Sequence, residues 1–382
     1  MIRILFTGGG TGGHIYPILA VAEELQIRSS KNNLDLRYFG SAGNYQYILA
    51  TNGILVSNII SVKFRRYFDL RNFLDILIFP ISLIQAFWKV FWFMPGVLFS
   101  KGGPGALPVV LACKFYRIPI IIHESDSIPG FSNQISARFA DRIAVSFNEA
   151  LEFFVNKYGE KIKEKIALIG NPIRRSLFGK DIIESKAAKG IFGFDYEKPL
   201  ILVLGGSQGA ARINDFILEV APELIKNGFQ ILHQTGAKNF ENVKNEMNLV
   251  FQNLLEQKGS YKIVPYFEKD LKDAYVAADL VVSRAGSGSI FEIAAFGKPA
   301  ILIPIPKEIV GEHQIKNAYE YAKSGAAVVI EEDNLKAGIF MVQLKKIFSD
   351  LNILNSMAQS AKNFSRSNAA KIIAEEIIKI TS

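Results

Sequence analysis

The chain has very few of the residues from which disulfides and zinc sites are built. Among its 382 residues there is one cysteine, Cys113, and there are four histidines. A single cysteine excludes an intramolecular disulfide and fits a reducing compartment. Scattered histidines without cysteine pairs argue against a structural zinc site. Cys113 lies in the apolar run PVVLACKF, where a thiol most often serves packing, so we expect no reactive-thiol chemistry there.

Charge is also scarce. Charged residues make up 21% of the chain, and 44 basic against 36 acidic side chains leave a formal net charge of +8. Such dilute basicity does not indicate a nucleic-acid-binding protein, although a locally anionic partner remains open. The hydrophobic content of 49% can fill a core in each of the roughly two or three domains that this length implies. Intrinsic disorder is therefore excluded.

No segment has the pattern of a signal peptide or of a transmembrane helix. Residues 2–6 form an apolar run that meets the glycine cluster 8–13 at once, which leaves no room for a basic region and a cleavage site. The most apolar stretch, 73–99, is interrupted by charged residues and a proline. Its charge-free part is shorter than the roughly 18–20 residues that cross a bilayer. We expect a buried first strand and no membrane span.

Short apolar strands alternate with helical patterns along the chain, as is typical of parallel α/β sheets. A first series comprises IRILF, LRYF, ILVSNII, GVLFS, IPIIIH, RIAVS and IALIG, and a second LILVLGGS, FQILHQTG, YKIVPY, DLVVS, PAILIP and AAVVI. We predict two Rossmann-like, doubly wound domains, one over 1–171 and one over 172–362. The last helix, 363–382, is a candidate for packing back on the N-terminal domain.

Each half opens with a strand that runs into a glycine-rich turn and a helix, ILFTGGGTGGH in the first and LVLGGSQGAARIN in the second. Such turns let backbone N–H groups and the helix dipole bind a phosphate, although any tight strand-to-helix turn also uses glycine. Gly8, Gly10 and Gly13 satisfy the dinucleotide pattern, but the acidic residue expected after the second strand is missing. This argues against an oxidoreductase. With no P-loop and no Asp-x-Asp pair, a metal-free mechanism is favoured.

His14 follows the first glycine turn and stands at the start of a helix whose first turn would hold Pro17. The helix dipole disfavours imidazolium at this place. A neutral His14 is suited to act as a general base that deprotonates a hydroxyl. The alternative is a histidine that caps its own loop.

A third glycine-bearing turn, DLVVSRAGSGSIFEIAAFGKP, puts Glu292 in the first turn of a short helix. We interpret Glu292 as an acceptor for ribose hydroxyls and the N–H groups of residues 287–289 as a diphosphate site. The alternative is that Glu292 only complements the helix dipole. Further along, His313, Gln314 and Asn317 cluster at helical spacing, where they could bind sugar hydroxyls.

Taken together, these motifs resemble the MurG family of N-acetylglucosaminyltransferases, within glycosyltransferase family 28. The resemblance covers nearly the whole chain in order: GGGTGGHIYP, SKGG, HES-SIPG-SNQ, GNPIR, GGSQGA, HQTG, SRAGSGSIFEIAAFGKP and GEHQIKNA. It implies a GT-B fold, two Rossmann-like domains facing a cleft, with the sugar nucleotide held mainly by the C-terminal domain. It also implies inverting transfer from UDP-GlcNAc to the 4-hydroxyl of undecaprenyl-diphospho-MurNAc-pentapeptide (lipid I), giving the lipid II of peptidoglycan synthesis, without cofactor or metal.

The resemblance assigns site residues position by position. His14 and Glu124 match catalytic positions. The positions matching substrate-binding segments for UDP-GlcNAc are Thr11, Gly12, Gly13, Asp126, Arg174, Ser207, Phe267, Ser287, Gly288, Ser289, Ile290, Phe291, Glu292 and Gln314.

Two positions depart from the family. Where the family usually reads His-Glu-Gln-Asn, residues 123–126 read His-Glu-Ser-Asp, so an acid, Asp126, replaces an asparagine and cannot donate a hydrogen bond when ionised. Pro104 stands where an aromatic residue is usual. Both departures fall on the side where the acceptor is expected.

Residues 60–101 hold eleven aromatic residues, including both tryptophans, and two acidic residues against six basic ones: Lys63, Arg65, Arg66, Arg71, Lys89 and Lys101. Over 80–94, Ser82, Gln85 and Lys89 share a narrow helical face beside a wide apolar arc. A helix in the interface of an anionic membrane has this pattern; the alternative is a helix packed on its own sheet. The predicted membrane contacts of a protein peripheral to the cytoplasmic face of the plasma membrane are Phe87, Trp88, Phe91 and Trp92.

Three other functions stay open on the sequence alone. A sibling transferase of the same fold that glycosylates diacylglycerol or another lipid would share the donor loops. A dinucleotide-dependent oxidoreductase would use the first glycine turn for its cofactor. A non-catalytic adaptor would bind the nucleotide sugar at a membrane without transferring it.

Overall fold

A computed structural model describes the chain except for residues 30–32, 62–69, 179–182, 207–208, 253–258 and 268, and except for the side chains of 70–76. The described chain forms two compact units. The first contains residues Met1–Arg175 together with Arg366–Ser382, and the second contains Ser176–Ser365. The C-terminal segment thus belongs to the same unit as the N-terminus.

Each unit holds one parallel sheet, of seven strands in the order β3-β2-β1-β4-β5-β6-β7 and of six in the order β10-β9-β8-β11-β12-β13. In each sheet the chain order reverses beside the first strand, between β1 and β4 and between β8 and β11. Open α/β sheets bind ligands at such switch points, beyond the carboxyl ends of the strands. The strands are β1 (Ile2–Thr7), β2 (Leu34–Phe39), β3 (Ile54–Ser57), β4 (Val97–Ser100), β5 (Ile120–Glu124), β6 (Arg142–Val145), β7 (Ile166–Leu168), β8 (Leu200–Leu204), β9 (Gln230–Gln234), β10 (Tyr261–Val264), β11 (Leu280–Ser283), β12 (Ala300–Leu302) and β13 (Ala327–Val329).

Helices cover both faces of each sheet, which is why the strands are continuous apolar runs without alternation. In chain order the described helices are α1 (Gly12–Arg28), α2 (Gln46–Thr51), α3 (Leu70–Phe93), α4 (Ala106–Phe115), α5 (Phe131–Ser136), α6 (Asn148–Tyr158), α7 (Ser185–Ile191), α8 (Ala211–Lys226), α9 (Phe240–Val250), α10 (Leu271–Ala277), α11 (Ser287–Ala295), α12 (Lys307–Val310), α13 (His313–Lys323), α14 (Ala337–Phe348), α15 (Leu351–Phe364) and α16 (Ala369–Thr381).

The first unit has a core on each face of its sheet. On one face α1 and α16 pack against β1 and β4, where the rings of Phe6 and Phe99 meet edge to face at 6.2 Å. On the other face α3, α4 and α6 cover Leu5 and Leu98. Ionic contacts between Arg142 and Glu376 (2.7 Å) and between Arg28 and Glu375 (3.6 Å) hold α16 in place.

The second unit has a core built mainly of α8, α14 and the strands β8, β9, β11 and β12. Within it His233 is fully buried and lies 2.8 Å from the Tyr261 hydroxyl and 3.0 Å from Asn214 Oδ1. Burial lowers the pKa of His233 to about 3, so this imidazole is neutral. It ties β9 to β10 and to α8, which is a structural role.

The predicted fold class is confirmed, because each apolar run in the sequence forms one of the strands of two doubly wound parallel sheets.

Two helix starts were predicted wrongly. Helix α1 begins at Gly12, since Thr11 O already accepts from His14 N and Ile15 N, and Pro17 therefore lies in the second turn. Helix α11 begins at Ser287, which moves Glu292 to the second turn as well.

Candidate active site

The glycine turn after β1 packs so closely against neighbouring residues that there is no room for a side chain at Gly10. The buried Tyr38 donates its hydroxyl to Gly8 O at 2.7 Å. A Cβ added at Gly10 would lie 2.7 Å from Ser41 O. The turn therefore needs glycine at this position so that its backbone can approach the backbone at Ser41. This contact fixes the place at which α1 begins.

The imidazole of His14 lies between two further glycines. A Cβ at Gly9 would lie 2.9 Å from Nδ1, and one at Gly103, whose φ is +86°, would lie 2.7 Å from Nε2. Nδ1 is 2.8 Å from the Thr11 hydroxyl. Burial and, next, the Lys101 ammonium lower the pKa of His14 to about 4, against the opposing effect of Asp126. The imidazole is therefore neutral at pH 7.

Behind the turn lies a buried polar cluster centred on Lys101, directly after β4. Lys101 is 2% exposed, and its Nζ lies 2.5 Å from His123 Nδ1 and 3.3 Å from Asn171 Oδ1 and also donates to Ser125 Oγ. His123 Nε2 is 2.9 Å from Gly170 O. A carbonyl oxygen only accepts, so Nε2 carries the proton and Nδ1 accepts from the lysine. One ammonium thereby joins the chain at the carboxyl ends of β4, β5 and β7.

The sequence places Lys101 among the six basic residues of 60–101, the stretch predicted to face lipid (the lipid-facing stretch). For Lys101 that assignment is wrong. The side chain is enclosed and contributes no charge to a surface patch. Of the other five basic residues in the stretch, only Lys89 has a described side chain, and it is half-buried. Lys63, Arg65 and Arg66 lie outside the described residues, and the side chain of Arg71 is not described.

Glu124, the last residue of β5, holds the loop that follows it. Its Oε1 accepts from Asp126 N at 3.0 Å, and its Oε2 accepts from Gly130 N and Asn133 Nδ2, both at 2.9 Å. Burial and the nearby Asp126 raise the pKa of this carboxyl. Both oxygens are engaged by the loop of residues 125–130, which is the geometry of a positioning residue. The catalytic role of Glu124 stays a prediction.

Asp126, Pro104 and Arg174 belong to the same unit as His14. Asp126 acts electrostatically on His14, and Pro104 Cδ would lie 3.3 Å from a Cβ at Gly9. The Arg174 guanidinium lies over the ring of Tyr16, in α1, at 4.6 Å. The first unit thus gathers Thr11, Gly12, Gly13, His14 and Asp126, with Arg174 packed on α1.

The N-terminus of helix α11 combines two features that favour an anion. It follows β11, one of the two strands at the switch point, and among the described residues no side chain caps its first turn. Ser287 is 5% exposed, and its Oγ has no hydrogen-bond partner in the part of the chain that the structure describes. A buried hydroxyl at the positive end of a helix dipole is suited to bind a phosphate oxygen.

Glu292 is oriented by a tyrosine that the sequence reasoning did not find. The hydroxyl of Tyr275, in α10, donates to Glu292 Oε2 at 3.0 Å. Its ring stacks on Phe296 at 4.8 Å with an interplanar angle of 15°. Burial, and then the Glu292 charge, raise the pKa of Tyr275, so this hydroxyl remains a donor. No local pattern in the sequence connects α10 to α11, because only tertiary packing brings them together.

Of the remaining predicted residues of the second unit, Gln314 lies in α13 and Phe267 follows β10. Gln314 Oε1 accepts from Ile305 N at 3.2 Å, which fixes the start of α13 beside the loop after β12. Phe267 is buried, and its N–H donates to Gln234 Oε1 at 3.1 Å. Gln234 is the last residue of β9. Its position at the carboxyl end of a strand is the feature of the sequence that could have identified it as a site residue. Ser207 lies outside the described residues.

Helix α3 exposes its large apolar side chains. Trp88 is 65% and Trp92 68% exposed, and further exposed residues follow at helical spacing: Leu77, Ile81, Ile84 and Phe91. The polar face of the helix is the covered one. The buried Ser82 donates to Ile60 O at 2.7 Å, and Gln85 Oε1 accepts from Ile60 N at 3.1 Å. Phe87 is half-buried against Phe115 and Tyr116.

The two halves of the chain match the two domains of one enzyme family. The family model for the glycosyltransferase family 28 N-terminal domain matches residues 4–145, and the model for its C-terminal domain matches residues 200–375. The chain belongs to glycosyltransferase family 28. This confirms the resemblance, and with it the expectation of a glycosyltransferase over that of an oxidoreductase or a non-catalytic adaptor.

The family 28 chain is similar to named relatives over its full length. A protein of Bacillus cereus named UDP-N-acetylglucosamine--N-acetylmuramyl-(pentapeptide) pyrophosphoryl-undecaprenol N-acetylglucosamine transferase 2 is 35% identical over 99% of both chains. Among solved structures, MurG of Acinetobacter baumannii aligns with a TM-score of 0.72 at 24% identity, over 99% of this chain and 100% of that one. A UDP-GlcNAc 2-epimerase of Neisseria meningitidis aligns with a TM-score of 0.67 at 13% identity, over 99% and 100%. At such identities the structures show the shared GT-B fold alone.

None of the described helices combines the length and the apolar character that crossing a membrane requires.

Proposed function

We propose that this protein transfers N-acetylglucosamine from UDP-GlcNAc to the 4-hydroxyl of undecaprenyl-diphospho-MurNAc-pentapeptide, converting lipid I to lipid II in peptidoglycan synthesis. The observation that carries the proposal is the full-length relationship, at 35% identity, to a family 28 transferase whose name specifies this donor and this acceptor. The chemistry of the described residues supports it from two sides: a neutral imidazole in the first unit and an anion site in the second.

His14 is the proposed general base. In the tautomer that the reaction requires, Nδ1–H donates to the Thr11 hydroxyl oxygen 2.8 Å away, which leaves Nε2 unprotonated. Nε2 takes the proton of the acceptor's 4-hydroxyl as the oxygen attacks the anomeric carbon of the donor. The new C1–O bond forms while the bond from C1 to the diphosphate oxygen breaks on the opposite face, so the configuration inverts. The proton ends on His14 and the electron pair on UDP.

The departing UDP needs stabilisation of its new charge. The N-terminus of α11 offers backbone N–H groups, the positive end of the helix dipole and the Ser287 hydroxyl. Glu292, oriented by Tyr275, accepts hydrogen bonds from the ribose, and Gln314 reads the sugar. Arg174, Phe267 and Ser207 complete the proposed nucleotide contacts. In this proposal no metal takes part in the displacement.

A polyprenyl-linked acceptor lies in a membrane, and α3 is the proposed contact with that surface. The exposed tryptophans lie edge to face at 5.8 Å and continue a stripe of apolar side chains along the outer face of the helix. Aromatic rings of this kind settle at the interface of a bilayer. We propose that the protein is peripheral, at the cytoplasmic face of the plasma membrane, with anionic lipid attracted by the basic residues that precede α3.

One experiment distinguishes the proposed lipid I transferase from a sibling transferase that glycosylates diacylglycerol. The protein is incubated with labelled UDP-GlcNAc and lipid I in detergent, and in parallel with diacylglycerol. We expect label on the muramoyl lipid alone. Label on diacylglycerol would identify the sibling transferase, and release of free labelled sugar without a lipid product would contradict both acceptors.

A further inference from the structure

The loop after β2 leads to Tyr45, a residue that the resemblance does not assign to the site. Strand β2 lies beside β1 in the sheet, so the carboxyl ends of the two strands are neighbours. The loop and the glycine turn after β1 touch along their backbones: a Cβ at Gly43, whose φ is +53°, would lie 3.1 Å from Gly10 O. Tyr45 N donates to Ala42 O at 3.0 Å. The backbone at Tyr45 is therefore fixed relative to the glycine turn.

The ring of Tyr45 is fixed by packing, whereas its hydroxyl makes no hydrogen bond within the described chain. The half-buried ring packs on the core of the first unit and meets Tyr16 edge to face at 5.8 Å and 81°. Tyr16 in turn lies under the Arg174 guanidinium at 4.6 Å. A tyrosine has an apolar body and a polar tip, and here the body is bound while the tip is available. Such a side chain is suited to bind a ligand.

The hydroxyl of Tyr45 lies against the turn that carries the proposed base. A Cβ at Gly12 would be 3.0 Å from Tyr45 Oη, and Gly12 begins α1 only two residues before His14. A Cβ at Gly13 would meet no atom of the described chain within 4 Å, so a ligand has room at this position. The resemblance expects substrate at residues 11–13. A substrate held there comes within reach of the Tyr45 hydroxyl.

We propose that Tyr45 is a substrate-binding residue whose hydroxyl donates a hydrogen bond to the hexosamine diphosphate group bound beside His14. The proposal rests on the proposed function, since that function places a substrate at residues 11–14. Both proposed substrates, UDP-GlcNAc and lipid I, carry an N-acetylated hexosamine on a diphosphate and so offer the same kind of oxygen to a phenol. Binding of each substrate by itself shows which of the two Tyr45 contacts.

Tyr45→Phe tests the proposal, because it removes the hydroxyl and keeps the ring against Tyr16. The variant and the wild-type protein are titrated calorimetrically with UDP-GlcNAc alone and with a water-soluble, short-chain lipid I alone. A hydrogen bond to a charged group changes affinity by about tenfold or more. We expect Kd for one of the two ligands to rise by that factor and kcat/KM for the same ligand to fall in proportion, at a wild-type melting temperature. Equal Kd values for both ligands in variant and wild type overturn the proposal.

Tyr47→Phe is the matched control, because Tyr47 lies in the adjoining helix α2 with a side chain that is 80% exposed. Its Kd for both ligands should equal that of the wild-type protein. Tyr45→Leu, which removes ring and hydroxyl together, should lose at least as much affinity as Tyr45→Phe. A loss in the leucine variant alone would mean that the ring only packs the turn, which also overturns the proposal.

The titrations need no turnover, so the two proposals fail separately. Absence of transfer by a wild-type protein that binds the ligands contradicts only the proposed function. A wild-type protein that binds neither ligand overturns both.

Discussion

At the scale of single residues, the proposed chemistry depends on how His14 is kept neutral and oriented. Its ring fits only because Gly9 and Gly103 have no side chains, and its environment removes the proton that a solvent-exposed histidine would partly hold. A general base contributes about 10²–10⁴ in rate. We therefore expect His14→Ala to lower kcat by about that factor while UDP-GlcNAc still binds. Transfer assays at saturating substrates measure it, and near-wild-type turnover would sink the assignment.

Thr11 gives a second prediction, because its hydroxyl is placed to choose the tautomer of His14. Thr11→Val keeps the shape and removes the oxygen 2.8 Å from Nδ1, whereas Thr11→Ser keeps the oxygen. Histidines that lose such an orienting partner lose up to about 10⁴ in kcat. We expect at least about tenfold loss of kcat for valine and little for serine. Equal activity of the two variants would show that the hydroxyl does not orient the ring.

The pH dependence follows from the lowered pKa of His14, about 4. The base form is present above that value, so kcat/KM for the acceptor should stay level as the pH falls below 6.5 and decline only toward pH 4. Lys101→Met removes one cause of the lowering, and its acid limb should lie at higher pH. An acid limb near 6.5 in the wild-type protein would contradict the burial of the ring.

The sequence pointed to His14 because a glycine turn followed by a histidine is a local pattern. Lys101 and Tyr275 were not assigned to the site for the opposite reason. Whether a lysine is solvated or buried depends on the three strand ends that surround it, and Tyr275 meets Glu292 only through the packing of α10 on α11. Local residue types carry no record of either contact.

At the scale of elements, strands were predictable and helix starts were not. Each strand is buried on both faces and so reads as an uninterrupted apolar run. The start of a helix depends on one or two hydrogen bonds, and in α1 and α11 the small residues of the turn already make them. The shift has a chemical consequence, since it places Ser287 at the first position of α11 with its hydroxyl at the dipole's positive end.

Helix α11 therefore yields a prediction about donor binding. Ser287→Ala removes the buried hydroxyl, and Glu292→Gln weakens the acceptor for the ribose. A hydrogen bond to a charged group contributes about 1.5–3 kcal/mol, so we expect each variant to raise Kd for UDP about tenfold or more. Tyr275→Phe, which removes only the group that orients Glu292, should have a smaller effect. Calorimetric titration measures these constants. An unchanged Kd in both variants would show that the diphosphate does not bind at this helix.

At the scale of the whole molecule, the surplus of positive charge and the exposed apolar side chains both bear on the proposed membrane contact. The chain carries a formal net charge of +8, and one of the basic residues first assigned to the lipid-facing stretch, Lys101, is internal. The stretch nevertheless keeps five basic residues against two acidic ones. Attraction by charge is screened by salt, whereas burial of aromatic rings is not. The two contributions can therefore be separated by experiment.

Replacing Trp88 and Trp92 by serine tests the contact. Each ring is about two-thirds exposed, 65% and 68%, and its removal leaves the buried residues Ala86, Val90 and Phe93 in place, so the fold should not suffer. Burying a large apolar side chain contributes about 1.5–3 kcal/mol, and we expect affinity for anionic vesicles to fall about a hundredfold in the double variant. Turnover of a water-soluble short-chain acceptor should be retained while turnover of vesicle-borne acceptor falls.

The matched control for that variant is Leu351→Ser, which removes an apolar side chain of similar exposure, 75%, from α15 in the second unit. Its vesicle affinity should equal that of the wild-type protein. Co-sedimentation at low and high salt separates the two contributions: binding of the tryptophan variant should fall more steeply with salt than that of the wild-type protein, because charge then carries a larger share of what remains. Unaltered vesicle affinity of the tryptophan variant would instead mean that α3 does not meet the lipid.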